Sequence, residues 1–137
     1  MDKLIIERKL ESLRRCIKRV EQKRPATVET LETDADTQDI MVLNLSRAVQ
    51  LCVDIGAHLL VDHEVAPPNT MGETFDRLAQ VKIIDDALAD RLKKSVGFRN
   101  LAVHNYDVLN WHIVFAIAHR HLDDFTAFAR ATQKQLL

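Results

Sequence analysis

Glycine and proline are scarce in this chain, with only three of each among 137 residues. Aromatic residues, which are enriched in strands, make up only 5% of the sequence. Leucine, alanine, lysine, arginine and glutamate are plentiful instead, and these residues favour helices. The composition therefore predicts an all-α protein and disfavours a sheet. At this length we expect one domain, residues 1–137, with a hydrophobic core of its own.

Cysteine and long apolar runs are also scarce. Cys16 and Cys52 are the only cysteines, and each lies alone within a helical pattern. We therefore expect two buried thiols, and neither a disulfide nor a metal site. The sequence has no secretory signal and no run of about 18 apolar residues. These absences predict a soluble, cytoplasmic protein that does not enter a membrane.

An excess of one charge is missing too, because the formal net charge is only −1. Any affinity for nucleic acid must then come from a local patch. One such patch lies in residues 1–24, which contain nine basic and four acidic residues, a net charge of +5. This charged face is either solvated, with salt bridges such as Glu11 to Arg15, or it binds phosphate.

Apolar residues recur at helical spacing along most of the chain. In residues 2–24 they form a single stripe, which ends before Pro25. A second helix, predicted from about 35 to 62, is apolar on most sides, so we expect it to pack in a bundle and against a further surface such as a dimer partner. Four residues that favour a helix start precede this helix or open it: Thr33, Asp34, Asp36 and Thr37.

Three further helices complete the pattern. A long loop over 63–72 leads into a short helix over 73–80, for which Thr70 and Glu73 form a capping box. Two consecutive aspartates, at 85 and 86, favour the start of a penultimate helix. A final helix is predicted from about 110 to 134. The expected fold is an antiparallel bundle of four long helices and one short helix.

The residues with the most useful chemistry gather at the end of the penultimate helical pattern, in the stretch Arg99-Asn100-Leu101-Ala102-Val103-His104-Asn105-Tyr106. Arg99 carries a permanent charge on a planar fork that suits phosphate oxygens. His104 can exchange a proton near neutral pH. Tyr106, the only tyrosine, has a phenol that can donate a hydrogen bond or be modified covalently. Together these groups indicate phosphate chemistry.

The spacing of this motif limits how it can work. In a straight helix Arg99 and His104 lie roughly 140° apart, whereas Asn100 and His104 share a face. If Arg99 and His104 act together, the helix must end or distort near His104, or a second chain must complete the site. Asp107 and Asn110, which favour turns and caps, support an ending here.

The pattern Arg-x4-His-x-Tyr, read as Arg99, His104 and Tyr106, resembles the signature of HEPN-domain ribonuclease toxins of the HepT type. The resemblance covers nearly all of the chain: its length, the order of its helices, the segment Glu-Thr-Phe-Asp-Arg-Leu at 73–78, and the position of the motif near the end of the penultimate long helix. It implies a HEPN-like, homodimeric bundle that serves as the toxin of a type VII-like toxin–antitoxin system.

The resemblance also implies an activity, the cleavage of messenger or transfer RNA at a composite site formed by a homodimer, without a metal or cofactor. RNA carries its own nucleophile, the 2′-hydroxyl, so cleavage needs a proton acceptor, a proton donor and stabilisation of the phosphate. His104 would act as general acid or base and Arg99 as phosphate binder. Asn100 would be a supporting hydrogen-bond partner.

Tyr106 is the residue through which the resemblance implies regulation. Antitoxins of HepT-type toxins resemble minimal nucleotidyltransferases, and they attach adenylate to the motif tyrosine. A bulky anion on Tyr106 would occupy the place of the substrate phosphate and pair with Arg99. The expected partners are therefore RNA, a nucleotidyltransferase antitoxin and a second copy of the chain.

Other interpretations stay open. The chain could be a non-catalytic helical module that binds a nucleotidyltransferase and presents substrate or nucleotide to it, or a structural bundle in which the motif is incidental. Tyr106 could be an ordinary packed phenol. A metal site is disfavoured, because a catalytic metal needs three converging ligands and only one helix offers a cluster: His119, His121, Asp123 and Asp124.

Overall fold

Seven α-helices and one short 3₁₀-helix form the computed structural model, which describes all residues from 1 to 137. No strand is present, so the prediction of an all-α bundle is confirmed. The elements are α1 (Lys3–Lys23), α2 (Val28–Thr33), α3 (Ala35–Leu60), α4 (Met71–Gln80), α5 (Asp86–His104), the 3₁₀-helix (Tyr106–Val108), α6 (Trp111–Arg120) and α7 (Leu122–Gln135).

Polar side chains cap the helices close to the positions that the sequence indicates. The Asp34 carboxylate accepts hydrogen bonds from the backbone N–H groups of Asp36 and Thr37 and so starts α3. Thr70 Oγ1 accepts the N–H of Glu73 at the start of α4. The Glu73 carboxylate, however, accepts the N–H of Asn69 and not that of Thr70. The predicted capping box is therefore only half formed, because its returning bond lies one residue upstream.

Two helices differ from the sequence prediction. The acidic segment before α3 forms a short helix of its own, α2, which Thr27 caps. The single final helix predicted over 110–134 is wrong, because the chain divides into α6 and α7 at His121, where φ is −114° and ψ is 4°. Buried apolar residues continue on both sides of this break, with Ile117 before it and Leu122 after it. Apolar periodicity alone therefore does not reveal the interruption.

One continuous cluster of 33 buried hydrophobic residues forms the core. α3 passes through its centre and contacts the other six α-helices, α1, α2, α4, α5, α6 and α7. Phe75 of α4 meets Phe128 of α7 edge to face, with ring centroids 6.1 Å apart. Cys16 and Cys52 are both free and buried, as the sequence predicts.

The central helix α3 is long and apolar enough to cross a membrane by length and composition alone, with a mean hydropathy of 1.4 in its most apolar window. Polar residues such as Asn44, Arg47 and Asp54 interrupt the apolar residues of α3. For this reason the sequence contains no continuous apolar run of that length. Half of that window is buried inside the bundle. The buried half packs against the surrounding helices, as in the core helix of a bundle.

Candidate active site

The end of α5 presents the motif. The buried residues Leu88 and Leu92 give way, further along the helix, to half-buried Arg99. α5 ends at His104, and the backbone N–H of Asn105 donates to the carbonyl oxygen of Leu101 at 2.8 Å. Asn105 then leaves the helical conformation, with φ −153° and ψ 63°. The helix therefore ends where the sequence indicates, and Tyr106 lies in the turn beyond it.

Asn110 closes this turn by starting α6. Its side-chain oxygen accepts hydrogen bonds from the backbone N–H groups of His112 at 2.9 Å and Ile113 at 3.4 Å. The segment between His104 and Trp111 is thus fixed at both ends by local hydrogen bonds. This arrangement confirms the capping role predicted for Asn110 and holds the short 3₁₀-helix beside the end of α5.

Arg99 and Asn100 are joined directly, whereas Arg99 and His104 are not. Arg99 Nη1 donates to Asn100 Oδ1 at 3.3 Å, and no carboxylate forms an ion pair with Arg99. Asn100 and His104 are exposed one helical turn apart. Because α5 stays helical as far as His104, the Arg99 and His104 side chains diverge by roughly 140° around its axis. Both groups are available to a ligand, but within one chain they point in different directions.

Tyr106 is held by a residue from another helix. Its hydroxyl donates to Asp39 Oδ1 of α3 at 2.9 Å, and its ring meets Trp111 edge to face at a centroid distance of 5.9 Å. Partial burial, the hydrogen bond to Asp39 and the charge of Asp39 together raise the pKa of Tyr106 from 10.0 to about 12. The phenol is therefore neutral at physiological pH, and 36% of the Tyr106 residue is exposed.

Asp39 is the one site neighbour that sequence reasoning missed. It lies 67 positions before Tyr106 and belongs to an acidic stretch that the sequence marks only as a helix start. Its position on an exposed side of α3 carries no local signal of a partner. Trp111, the other neighbour of Tyr106, follows the Asn110 cap directly and is half-buried at the start of α6.

The residues weighed as metal ligands have other contacts. His119 Nε2 lies 2.7 Å from the carbonyl oxygen of Pro25, and its ring packs on Phe115 at 4.2 Å. Asp124 accepts a hydrogen bond from Arg91 Nε at 2.8 Å and lies 3.6 Å from His121 Nδ1. No three His, Cys, Asp or Glu side chains are grouped where they could hold a metal ion.

An apolar groove of about 750 Å³ lies beside the motif, between α5, the 3₁₀-helix, α6 and the start of α7. Leu101 from within the motif, Val108 from the turn and Ile113 from α6 line it, and they are 43%, 55% and 54% exposed. Large aliphatic side chains left this open are uncommon when they adjoin one another. The motif is therefore bordered by an apolar surface that nothing in the single chain covers; this surface is called the apolar groove below.

Comparison with known proteins supports a specific assignment. The HepT-like ribonuclease family model matches residues 10–132. The chain is 39% identical over 124 residues to the mRNA nuclease HepT of Shewanella oneidensis, covering 90% of this chain and 92% of the relative. It is 25% identical over 137 residues to the tRNA nuclease HepT of Aphanizomenon flos-aquae, covering 100% of this chain and 93% of the relative.

Solved structures agree with these relatives. The tri-AMPylated Shewanella oneidensis HEPN toxin in complex with MNT antitoxin superposes with a TM-score of 0.88 at 36% identity, covering 98% of this chain and 99% of the other. A toxin–antitoxin complex with AMP-PNP gives a TM-score of 0.88 at 36% identity, covering 95% and 98%. With the motif at the end of α5 and similarity along nearly the whole length, the chain belongs to the HepT-like ribonuclease family.

Proposed function

We propose that this chain is a metal-independent RNA endonuclease, the toxin of a cytoplasmic toxin–antitoxin pair, and that residues 1–137 act as one domain. The observation that carries the proposal is the end of α5, where half-buried Arg99, exposed His104 and accessible Tyr106 adjoin one turn of the chain. The 39% identity of the chain to the mRNA nuclease HepT of Shewanella oneidensis supports RNA as the substrate.

Each motif side chain has a task in such a reaction. The 2′-oxygen of RNA attacks the adjacent phosphorus, the bond to the 5′-oxygen breaks, and a 2′,3′-cyclic phosphate and a 5′-hydroxyl result. His104 takes the proton from the 2′-hydroxyl or gives one to the leaving 5′-oxygen. Arg99 binds the phosphate oxygens and stabilises the charge that develops on them. Asn100 accepts a hydrogen bond from Arg99 Nη1 and so restrains the guanidinium group.

A second copy of the chain supplies what one copy lacks. A single His104 cannot hold both the 2′-hydroxyl and the leaving oxygen, which lie on opposite sides of the phosphorus. A symmetric homodimer that packs through the apolar groove would bring two motifs to one cleft. The exposure of Leu101, Val108 and Ile113 beside the motif supports this arrangement, because a dimer would cover these side chains.

Tyr106 is the proposed point of control by a nucleotidyltransferase antitoxin. As the phenol oxygen attacks the α-phosphorus of ATP, a bond from oxygen to phosphorus forms and pyrophosphate leaves. The phenolic proton passes to Asp39, which already accepts it in a hydrogen bond of 2.9 Å. The attached adenylate then places a phosphate two residues from His104, where it can pair with Arg99 and exclude RNA.

The test is cleavage of total RNA and transfer RNA by the purified protein in the presence of a chelator. We expect His104→Ala to lower the rate by about 10²–10⁴-fold, which is the contribution of a positioned acid or base. Arg99→Ala should lower it by about 10²-fold or more, because the developing phosphate charge loses its counter-ion. Mapping of the ends should find cyclic phosphate or 3′-phosphate.

Matched controls separate the site from general effects. His63→Ala changes an exposed histidine in the loop before α4, and Arg130→Ala changes an exposed arginine on α7; both variants should cleave normally. Tyr106→Phe should cleave RNA but gain no adenylate from antitoxin and ATP. If mass spectrometry shows an unmodified Tyr106 and the protein still does not cleave, the nuclease proposal is wrong and a non-catalytic module that presents substrate to the nucleotidyltransferase replaces it.

A further inference from the structure

A second groove, of about 620 Å³, lies between α1 and α3. Three arginines line it: Arg15 and Arg19 from α1, and Arg47 from α3. Most of the remaining lining is polar, including the side-chain amide of Asn44. We call this feature the arginine groove. It contains part of the basic face that the sequence shows in residues 1–24.

The positive charge of the arginine groove is largely uncompensated. Arg19 and Arg47 are exposed, and neither forms an ion pair or a side-chain hydrogen bond. Arg15 forms one exposed ion pair, with Glu11 at 3.6 Å, a type of pair that contributes little, and its Nη2 donates a hydrogen bond to Ser12 Oγ at 3.2 Å. Asp54 is the only carboxylate in the lining, and Lys9 lies 3.6 Å from it.

Cys16, which is buried, also belongs to the lining of the arginine groove. Burial raises the pKa of the Cys16 thiol, and the charges of Arg47 and Arg15 oppose that rise. Arginines from two helices thus act on one point between them. A concave surface lined by three guanidinium groups and a single carboxylate, which already has Lys9 as its partner, is suited to an anion with several acceptor oxygens.

The arginine groove leads toward the motif. On α3, Asp39, Leu43 and Arg47 follow each other at intervals of four residues, so they lie within roughly 80° of one face. Asp39 holds the Tyr106 hydroxyl, and Leu43 lies in the lining of the groove. The groove therefore begins one helical turn from Asp39, and Arg47 lies about 12 Å from Asp39 along the helix axis.

We propose that the arginine groove binds the phosphodiester backbone of the RNA strand on one side of the cleaved bond. This inference rests on the proposed nuclease function and adds a second, non-catalytic contact with the substrate. Guanidinium forks bind phosphate oxygens whatever the base, so the groove contributes affinity and register but no sequence preference. A protein partner is a poorer fit, because an interface centre needs apolar anchors and only Cys16, Leu43 and Leu51 supply them here.

The first measurement is binding of a long single-stranded RNA as a function of salt, with His104→Ala in every protein to prevent cleavage. Adding Arg19→Ala and Arg47→Ala should weaken binding about tenfold at low salt and reduce the slope of log K against log salt by roughly 1.4, or 0.7 per lost phosphate contact. The matched control adds Arg14→Ala and Arg130→Ala. Arg14 lies on the opposite side of α1, where it contacts Gln133 of α7, so affinity and slope should stay unchanged.

The second measurement uses proteins with His104 intact and compares the long RNA with a trinucleotide that spans only the cleaved bond. The Arg19→Ala/Arg47→Ala variant should have a higher KM for the long RNA and unchanged kcat/KM for the trinucleotide. The groove proposal is wrong if wild type cleaves both substrates but the two arginine substitutions change neither the KM for the long RNA nor, in the His104→Ala proteins, the affinity and the salt slope. The nuclease proposal would still stand.

Two other results would also overturn the groove proposal. Equal loss of activity on both substrates would mean that these arginines support the active site or the fold. Normal RNA binding combined with slower adenylylation, or with a change of oligomeric state, would assign the surface to a protein partner. Failure of wild type to cleave either substrate would instead contradict the proposed function itself.

Discussion

Tyr106 and Asp39 show how one hydrogen bond can link two roles of a residue. In the proposed function, a neutral Tyr106 phenol held toward α3 would leave Arg99 and His104 free for a phosphate. The same bond gives its proton a destination when the oxygen attacks a nucleotide. Under this proposal, the side chain that permits activity when unmodified would also be prepared for the modification that stops it.

Titration of the wild-type protein tests this contact directly, because Tyr106 is the only tyrosine in the chain. The tyrosinate absorbance should appear with a midpoint near pH 12, against an ordinary value of 10.0. Asp39→Asn removes the negative charge but keeps an acceptor oxygen, so the midpoint should fall part of the way toward the ordinary value. Asp107→Asn, a change of charge next to Tyr106 in the chain but outside the hydrogen bond, should leave it near 12.

The direction of the stability effect follows from the raised pKa. Folding favours the neutral phenol, so the contribution of the contact is complete below pH 10 and is lost as the pH rises through about 12. Unfolding monitored across this range should show a smaller loss of stability for Asp39→Asn than for wild type. A wild-type midpoint near 10, or equal midpoints in both proteins, would contradict the role of Asp39.

Residues that are close in sequence could be predicted, and those that meet only through the fold could not. Arg99, Asn100, His104 and Tyr106 occupy one short stretch, so their residue types and spacing are enough to propose a site. Their roles in cleavage and modification stay predictions. Asp39 reaches Tyr106 only because α3 passes beneath the turn after α5, a relation between helices that no local pattern encodes.

At the scale of helices, the close approach of α3 and α4 depends on Gly56. A β-carbon at this position would lie 2.6 Å from Thr74 Cγ2 and 3.0 Å from Leu78 Cδ1. Both neighbours are buried, with exposures of 2% and 0%. Neither can move into solvent, so the contact between the two helices requires glycine.

Gly56→Ala should therefore lower the free energy of unfolding, although alanine is the better helix former. The propensity gain is at most about 1 kcal/mol, whereas overpacking a core costs about 1–3 kcal/mol. We expect a net loss of about 1 kcal/mol in urea denaturation at a fixed protein concentration. Gly72→Ala is the matched control. Its β-carbon would meet only Lys93 atoms, at 3.8 and 3.9 Å, so this variant should show no loss from overpacking. A more stable Gly56→Ala protein would show that α4 can shift outward.

Some helix boundaries are marked in the sequence by a capping side chain, and others are not. Asp34, Thr70 and Asn110 could be predicted as caps because each has a side chain that accepts a backbone N–H. The break at His121 has no such signal: no side chain caps α7, and no proline or glycine lies there. The apolar periodicity of residues 110–134 therefore predicts one helix, although the chain forms two.

At the scale of the whole molecule, two surfaces adjoin the motif, and they differ in chemistry. The apolar groove borders it at α5 and α6, and the arginine groove approaches it along α3. An apolar surface suits a second copy of the chain, and a basic one suits a polyanion. In this arrangement the dimer would close one side of the cleft, and RNA would enter from the other.

The proposed composite site predicts how the activity of mixed dimers should behave. Wild type and His104→Ala, mixed in equal amounts and allowed to exchange, would give about a quarter wild-type dimers and about a half mixed dimers. If each cleft needs two His104 side chains, only wild-type dimers cleave RNA, and activity per total protein falls to about a quarter of the wild-type value. If each chain has an independent site, activity falls only to about a half, because mixed dimers retain one site.

Disrupting the proposed interface provides the control for this experiment. Ile113→Asp places a charge in the apolar groove and should give a monomer by light scattering, with little cleavage and no effect when added to wild type. Leu4→Asp makes the same change at 55% exposure on α1, outside the groove, and should leave mass and cleavage unchanged. A monomeric Ile113→Asp protein that cleaves RNA at the wild-type rate would place the whole site within one chain, and Arg99 and His104 would then have to reach one phosphate from directions roughly 140° apart on α5.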